Sequence, residues 1–211
     1  MISNIVSEHD STLSIFHYIP NFITKEEEIN LKLYLDNTND FIPSIKHNFG
    51  ISRLQKWYQV DKKYFCPMWK ERFPHWTSFE MDDTVNIMIN KIQTFINDFA
   101  DTNMNEEFQI PNINSCLINK YPCGENFIAP HRDSEISFGE KPTIIGLSIG
   151  NERKINFVRN DKTKVDDFSF DLESGSLFIM AGSSQKYYQH SIPKEYCDNV
   201  RYSFTFREFI L

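Results

Sequence analysis

The sequence predicts an α+β fold, with helices first and many short strands afterwards, the helices backing a sandwich or barrel. Two observations carry this reading. Residues 82–99 place apolar side chains on one helical face, and from residue 114 the period changes to short runs separated by turn residues. At 211 residues the chain fits one domain, or at most two small ones. A domain of that size buries roughly 70–75% of its unfolded surface and needs no disulfide staples. We take residues 1–211 as one domain, with the helices in 1–113 and the strand core in 114–211.

Residues 15–22, IFHYIPNF, read as a short strand ending in a turn. Thr24-Lys25-Glu26-Glu27 has the form of a capping box, the Thr oxygen accepting an early backbone N–H while Glu27 reaches back. The helix that follows sets Ile29 with Leu33, and Leu31 with Leu35, at i,i+4 spacing. Residues 41–78 are aromatic, basic and broken by Pro43, Pro67 and Pro74, and they give no clear period. Asp82 and Asp83 then suit the positive end of a second helix. Its stripe of Val85, Met88, Ile92, Phe95, Ile96 and Phe99 belongs in a core.

Six strands are expected after that, at 115–121, 143–150, 154–158, 176–182, 186–192 and 201–209. Pro122-Cys123-Gly124, Gly139-Glu140-Lys141-Pro142, Gly150-Asn151 and Gly175 punctuate them.

The four cysteines (Cys66, Cys116, Cys123, Cys197) form no zinc spacing and read as reduced, intracellular thiols. The opening MISNIVSEHD has no signal-peptide pattern, and no apolar run approaches the roughly 20 residues of a membrane span. A soluble intracellular protein, in cytoplasm or nucleus and without membrane contact, is therefore expected. The formal charge of −7 argues mildly against a nucleic-acid coat protein. The acid is uneven, however, and basic groups gather at Arg53, Lys56, Lys62, Lys63, Lys70 and Arg72, and again at Arg153, Lys154, Arg159, Lys162 and Lys164. The first group is interleaved with aromatics and could track a phosphate backbone, or be simply a solvated face.

Three features of the strand half converge on chemistry. His131 and Asp133 occupy alternate positions and can face one ion together, with His190 closing the set from another strand. Two histidines and one carboxylate leave coordination positions open, the arrangement used for Fe(II) oxygen chemistry. Alone, an H-x-D pair is a weak signal. In Arg201-Tyr202-Ser203-Phe204-Thr205-Phe206-Arg207, alternation puts Arg201, Ser203, Thr205 and Arg207 on one face and the aromatics on the other. Two inward arginines need anions, and a dicarboxylate would satisfy both. Asn119 and Tyr121 share a strand face and add an amide and a phenol as donors.

The stretches LINKYPCGENFIAPHRDSE (117–135), GSLFIMAG (175–182), QHSIP (189–193) and RYSFTFR (201–207) together resemble the AlkB family of Fe(II)/2-oxoglutarate-dependent dioxygenases. That family reads N-x-Y, H-x-D, a G-S-L strand, a distal His and R-x-N-x-T-x-R. Ser52-Arg53-Leu54-Gln55-Lys56-Trp57-Tyr58 is similar to its P-R-x-x-x-x-Y segment, with Ser52 in place of proline. The resemblance implies a double-stranded β-helix, or jelly roll, backed by N-terminal helices, with a substrate lid within 1–113. It implies Fe(II) on His131, Asp133 and His190. It also implies 2-oxoglutarate held by Arg201 with Tyr121 at one carboxylate and by Arg207 with Asn119 at the other. Ser203 stands where the family has Asn, so altered cosubstrate affinity is expected there.

The activity implied is oxidative dealkylation of N-alkylated bases, such as 1-methyladenine or 3-methylcytosine, in DNA or RNA by a monomeric enzyme. A base must be single-stranded or flipped to be reached. His131 with Trp76 or Phe73 would sandwich it, Trp57, Tyr58 and Tyr64 being competitors, and Glu135 would face its amine. Two other readings stay open: a 2-oxoglutarate-dependent protein hydroxylase, and a catalytically silent nucleic-acid-binding or metal-binding module on the same fold.

Overall fold

The computed structural model describes residues 3–45, 51–61, 71, 77–103, 107–160 and 167–210. A hairpin comes first, β1 (Ser3–His9) and β2 (Thr12–Ile19), followed by α1 (Lys25–Asn37), β3 (Ile42–Ile45) and β4 (Ile51–Gln59). Helix α2 (Asp83–Asn103) leads to β5 (Ser115–Tyr121), β6 (Ile128–His131), the short α3 (Glu135–Phe138), β7 (Ile144–Gly150) and β8 (Arg153–Arg159). The chain continues through β9 (Phe168–Leu172), β10 (Leu177–Gly182), the single turn α4 (Ser184–Tyr187), β11 (Tyr188–Ile192) and β12 (Arg201–Arg207). All six expected strands are present within a residue or two, and no disulfide links Cys116, Cys123 or Cys197. Cys66 lies outside the described residues.

The strands form an eight-stranded sheet, β1-β2-β10-β7-β12-β5-β4-β3, and a four-stranded sheet, β6-β11-β8-β9. Phe16, Tyr121, Ile144, Phe178 and Met180 of the larger sheet pack with Ile155, Phe157, Leu172, Tyr188 and Ile192 of the smaller one. Phe157 sits at the middle of this layer, 4.9 Å from Phe16 and from Phe168 and 5.4 Å from Phe178 between ring centroids. The other face of the larger sheet carries Ile15, Ile118, Ile145, Leu147, Tyr202, Phe204 and Phe206, and there it meets the two long helices. Two sheets face to face with helices behind one of them is the jelly-roll layout.

The first 113 residues are richer in strands than their sequence suggests. They supply four of the eight strands of the larger sheet, so the chain division at 113 and 114 runs through that sheet. Strand β4 escaped detection because its inward positions are Arg53, Gln55 and Trp57, a polar set that breaks the apolar alternation.

The helices bear out their caps. The Thr24 side chain accepts from Glu27 N and the Glu27 carboxylate accepts from Thr24 N, completing the capping box. Asp82 accepts from Val85 N at 3.0 Å at the start of α2, whose Val85, Met88, Ile92, Ile96 and Phe99 are all buried. In α1 only one of the two leucine-containing pairs packs. Leu31 and Leu35 are buried, while Ile29 and Leu33 are 66% and 62% exposed, because α1 offers the sheet a single narrow stripe. Gly150 permits the turn into β8: its φ is +92°, and a Cβ there would lie 2.5 Å from the Val200 carbonyl oxygen.

This packing predicts a contrast within α1. Leu35→Ala removes a fully buried side chain and should cost about 2–5 kcal/mol, whereas Leu33→Ala should stay within about 0.5 kcal/mol of the parent. Urea denaturation midpoints measured side by side would check it, and equal midpoints would refute the assigned face.

Candidate active site

A cavity of about 430 Å³ opens between the two sheets, and β12 runs along it. Arg201, Ser203, Thr205 and Arg207 line it, while Tyr202, Phe204 and Phe206 point into the helix-side core, as strand alternation requires. Strand β5 lies antiparallel beside β12, with Tyr121 opposite Arg201, Asn119 opposite Ser203, Leu117 opposite Thr205 and Ser115 opposite Arg207. Strand β4 continues the surface, Gln55 pairing with Asn119 and Trp57 with Leu117. The cavity therefore has a polar end at Arg201 and Tyr121. Its other end, at Arg207, has Trp57 and Phe138 as walls.

The smaller sheet brings the imidazoles. His190 of β11 is in register with His131 at the end of β6, and their ring centroids are 4.2 Å apart. Asp133 follows in the loop after β6. Ligand-capable atoms of His131, Asp133 and His190 all lie within 4.8 Å of one another. His131 Nδ1 is 3.1 Å from the Ala129 carbonyl oxygen; a carbonyl only accepts, so Nδ1 carries the proton. The free Nε2 then faces Asp133 Oδ1 at 3.6 Å. Burial, with help from His131, pushes the His190 pKa down to about 3, leaving a neutral imidazole with a lone pair.

Across the cavity, Arg207 Nε donates to Asp133 Oδ2 at 2.6 Å. Burial alone would raise the Asp133 carboxyl, but Arg207 and the two histidines outweigh it and hold that group far below the usual carboxylate range. Arg201 is 1% exposed and spends one nitrogen on Ser148 Oγ at 3.0 Å, while its Nε and Nη1 have no partner. Burial pushes the Arg201 pKa down, the mark of a cation short of an anion.

Several participants were not assigned a site role from sequence. Arg53 Nε and Gln55 Nε2 both donate to Asn119 Oδ1, at 2.7 and 3.0 Å, which turns the amide NH2 of Asn119 away from them. Ser148 and Phe138 line the cavity, and Gln185 bonds the Asp133 backbone. Their signals were weak: Arg53 and Gln55 sit in a stretch without period, and a serine or glutamine on a strand or turn is unremarkable by itself. Of the competing aromatics, Trp57 lines the cavity, whereas Tyr58 packs on the helix side beside Tyr34. Phe73, Trp76 and Tyr64 lie outside the described residues. Glu135 is exposed and borders a second, polar hollow beside the cavity together with Arg132, Glu140, Gln185 and Lys186.

The described members of the two basic groups are not all surface cations. Arg53 turns into the cavity. Arg153 is 1% exposed, ion-paired with Glu195 at 2.6 Å and donating to the carbonyls of Asn126 and Pro193 at 3.0 and 2.5 Å. It is an internal staple between two loops, invisible to a count of cations. Lys154 pairs with Asp171. Lys62, Lys63, Lys70, Arg72, Lys162 and Lys164 lie outside the described residues.

A cavity with an iron-type donor set on one sheet and two arginines on the other defines a class, the oxygenases that use a 2-oxo acid. Residues 16–207 match the profile of the 2OG-Fe(II) oxygenase superfamily, and the chain belongs to that superfamily; the curated proteins it is similar to are AlkB homologues. It is 30% identical over 163 residues to the bovine (Bos taurus) alpha-ketoglutarate-dependent dioxygenase alkB homolog 3, covering 74% of this chain and 51% of that protein. It is also 30% identical over 118 residues to the DNA oxidative demethylase ALKBH2 of Arabidopsis thaliana, covering 44% and 37%. The chain thus spans about half the length of the curated relatives it matches. Among solved structures, OsALKBH1 superposes with a TM-score of 0.61 at 14% identity, covering 92% of this chain and 96% of that one. A prolyl hydroxylase from Trichoplax adhaerens superposes at 0.58 and 14%, covering 92% and 83%. Fe(II) and 2-oxoglutarate are the cofactors of this class, and the donor set and the two unpartnered donors of Arg201 fit them.

The Arg207–Asp133 pair yields a prediction for metal-free protein. Arg207→Met leaves a carboxylate of 6% side-chain exposure without its cation, at a cost of about 3–5 kcal/mol near neutral pH. Asp133 has a depressed folded pKa, so its contribution exists at neutral pH and is lost as pH falls. The gap between variant and parent should therefore stay full at pH 5 and narrow only below the ordinary carboxylate pKa, towards pH 3. Denaturation curves in chelator at both pH values would measure it; a gap that is constant or widens would contradict the assigned pair.

Proposed function

We propose that the protein removes alkyl groups from N-alkylated bases in nucleic acid by oxidation, using Fe(II), dioxygen and 2-oxoglutarate. The observation that carries the reading is the His131, Asp133 and His190 cluster facing Arg201 and Arg207 across one cavity. The names of the similar proteins support the substrate class. In this reading His131, Asp133 and His190 hold the iron. Arg201 and Tyr121 take the distal carboxylate of 2-oxoglutarate, and Arg207 with Asn119 takes the carboxylate beside the keto group. When bound, iron and 2-oxoglutarate supply the oxidation, in which the 2-oxo acid loses carbon dioxide to give succinate and a substrate carbon is hydroxylated.

The chain's own residues do the rest. Arg201 supplies Nε and Nη1 to an incoming carboxylate that no protein group competes for. Arg53 and Gln55 occupy the carbonyl of Asn119 and leave its NH2 to donate. Ser203, opposite Asn119, contributes a short hydroxyl to the middle of the cosubstrate site. Trp57 and Phe138 keep the Arg207 end apolar, so a flipped or single-stranded base entering there meets an aromatic wall. Glu135, on the rim, is left to contact the exocyclic amine.

Anaerobic iron-loaded protein given oxygen, 2-oxoglutarate and oligonucleotides carrying 1-methyladenine or 3-methylcytosine tests this. The panel is single-stranded DNA, duplex DNA and RNA, read by mass spectrometry with succinate assayed in the same tubes. Methyl loss that depends on iron, 2-oxoglutarate and His131 is the expected result. Succinate without methyl loss from any oligonucleotide would overturn the substrate class, and absence of both products would overturn the enzyme. Arg201→Met should raise the KM for 2-oxoglutarate roughly 10–100-fold, the value of a charged hydrogen-bond pair, with a smaller effect on kcat. An unchanged KM would remove Arg201 from the cosubstrate site.

A further inference from the structure

We infer that Gln185 is a positioning residue for the metal centre, fixing the backbone of Asp133 independently of Arg207. The inference rests on the proposed iron site and concerns how that site is kept in shape.

The three residues of the cluster are not held alike. His131 and His190 sit on paired strands, His190 in register with His131 on one side and with Phe157 on the other. Asp133 lies outside any strand or helix, in the loop between β6 and α3. Its carboxylate is held from the far sheet by Arg207, and its backbone N–H donates to Gln185 Oε1 at 2.9 Å. That bond joins residues 52 positions apart and ties the loop after β6 to the turn that leads into His190.

The acceptor is itself well anchored. Gln185 is 7% exposed, and its Nε2 is 3.6 Å from the sulfur of Met180, a buried residue of β10. Since a backbone N–H can only donate, the amide oxygen must face Asp133, which fixes the orientation of the side chain. The α4 turn that carries it is pinned in turn: Asn160 donates to the Tyr187 carbonyl from its backbone and to the Lys186 carbonyl from its side chain, at 2.8 and 2.7 Å.

Arg207 cannot do this work throughout the cycle, because the same guanidinium is assigned to a cosubstrate carboxylate. Gln185 does not line the cavity, and its bond is to the peptide of Asp133 rather than to the carboxylate. It acts on the peptide of Asp133 and so holds the loop whichever partner Arg207 takes. Groups that orient a metal-binding side chain from behind typically change metal affinity about 10–100-fold when removed.

The test uses Mn(II), a redox-inert probe, titrated into the whole protein with 2-oxoglutarate present, for the parent, Gln185→Met, Gln185→Glu and His131→Ala. Gln185→Met keeps the volume and loses the acceptor. It should weaken Mn(II) binding about 10–100-fold while the melting temperature of metal-free protein stays near that of the parent. Gln185→Glu keeps an acceptor oxygen at the same reach and should restore binding. Parent-like affinity in Gln185→Met, or a lowered metal-free melting temperature with unchanged affinity, overturns the inference. His131→Ala separates the two readings: if it too binds Mn(II) like the parent, the iron site itself is wrong. Should Gln185→Met fail to fold, hydrogen exchange at the Asp133 amide of the parent decides. Slow exchange supports the bond, and exchange at the rate of an open loop overturns it.

Discussion

The Arg207–Asp133 ion pair is the constraint around which the rest is arranged. It joins β12 of the larger sheet to the loop after β6 at 2.6 Å, with side-chain exposures of 11% and 6%. A buried pair contributes little net stability, because desolvation offsets most of the attraction, yet losing one partner is costly. The cavity also contains Arg201 and Arg53, both pushed down by burial and held by neutral oxygens of the protein. Stability must therefore come from elsewhere. It comes from the phenylalanine layer at Phe16, Phe157, Phe168 and Phe178 between the sheets and from the aliphatic layer beneath α1 and α2. The chain has 19 phenylalanines, and this division of labour is what many of them serve.

Strand β12 transmits the constraint to both layers at once. Its even positions complete the helix-side core and its odd positions furnish the site, so a slip of one residue would bury two arginines under α1 and open the cavity to aromatics. Register is set by its two neighbours, β5 and β7, along nearly its whole length. The turn at Gly150 fixes where β7 ends, since the close approach of the Val200 carbonyl excludes any side chain there. A packing requirement at one glycine thereby determines which face of β12 presents its guanidiniums.

The strand half of the fold was legible because its inward positions are apolar wherever they face the core. The metal cluster was legible because His131 and Asp133 fall at alternate positions and because His190 and the arginine strand follow them in one family's motif order. What was not legible follows one physical rule. Strand β4 lines the cavity with Arg53, Gln55 and Trp57, and β1 is an edge strand with polar faces, so neither shows the apolar period that sequence reading depends on. Arg153 misled in the opposite sense. Its charge suggested a surface, but backbone carbonyls from two loops and Glu195 make burial affordable, and only tertiary contact supplies those. Gln185 was hidden for the same reason: its partner is a backbone group 52 residues away.

The site's two ends divide the question of specificity. The fold, shared at 14% identity with OsALKBH1 and with a prolyl hydroxylase, fixes the sheets but does not choose a substrate. Along β12, the end at Arg201 and Tyr121 is closed and polar, suited to a carboxylate. The end at Arg207 brings the guanidinium 5.0 Å from the Phe138 ring, with Trp57 and Leu117 beside it. Discrimination among substrates then falls to the cavity walls at one edge of the larger sheet, β3 and β4, and to residues 132–140. There Ser44 and Trp57 reach the cavity from the sheet edge, and Arg132, Ser134 and Phe138 reach it from the segment after β6.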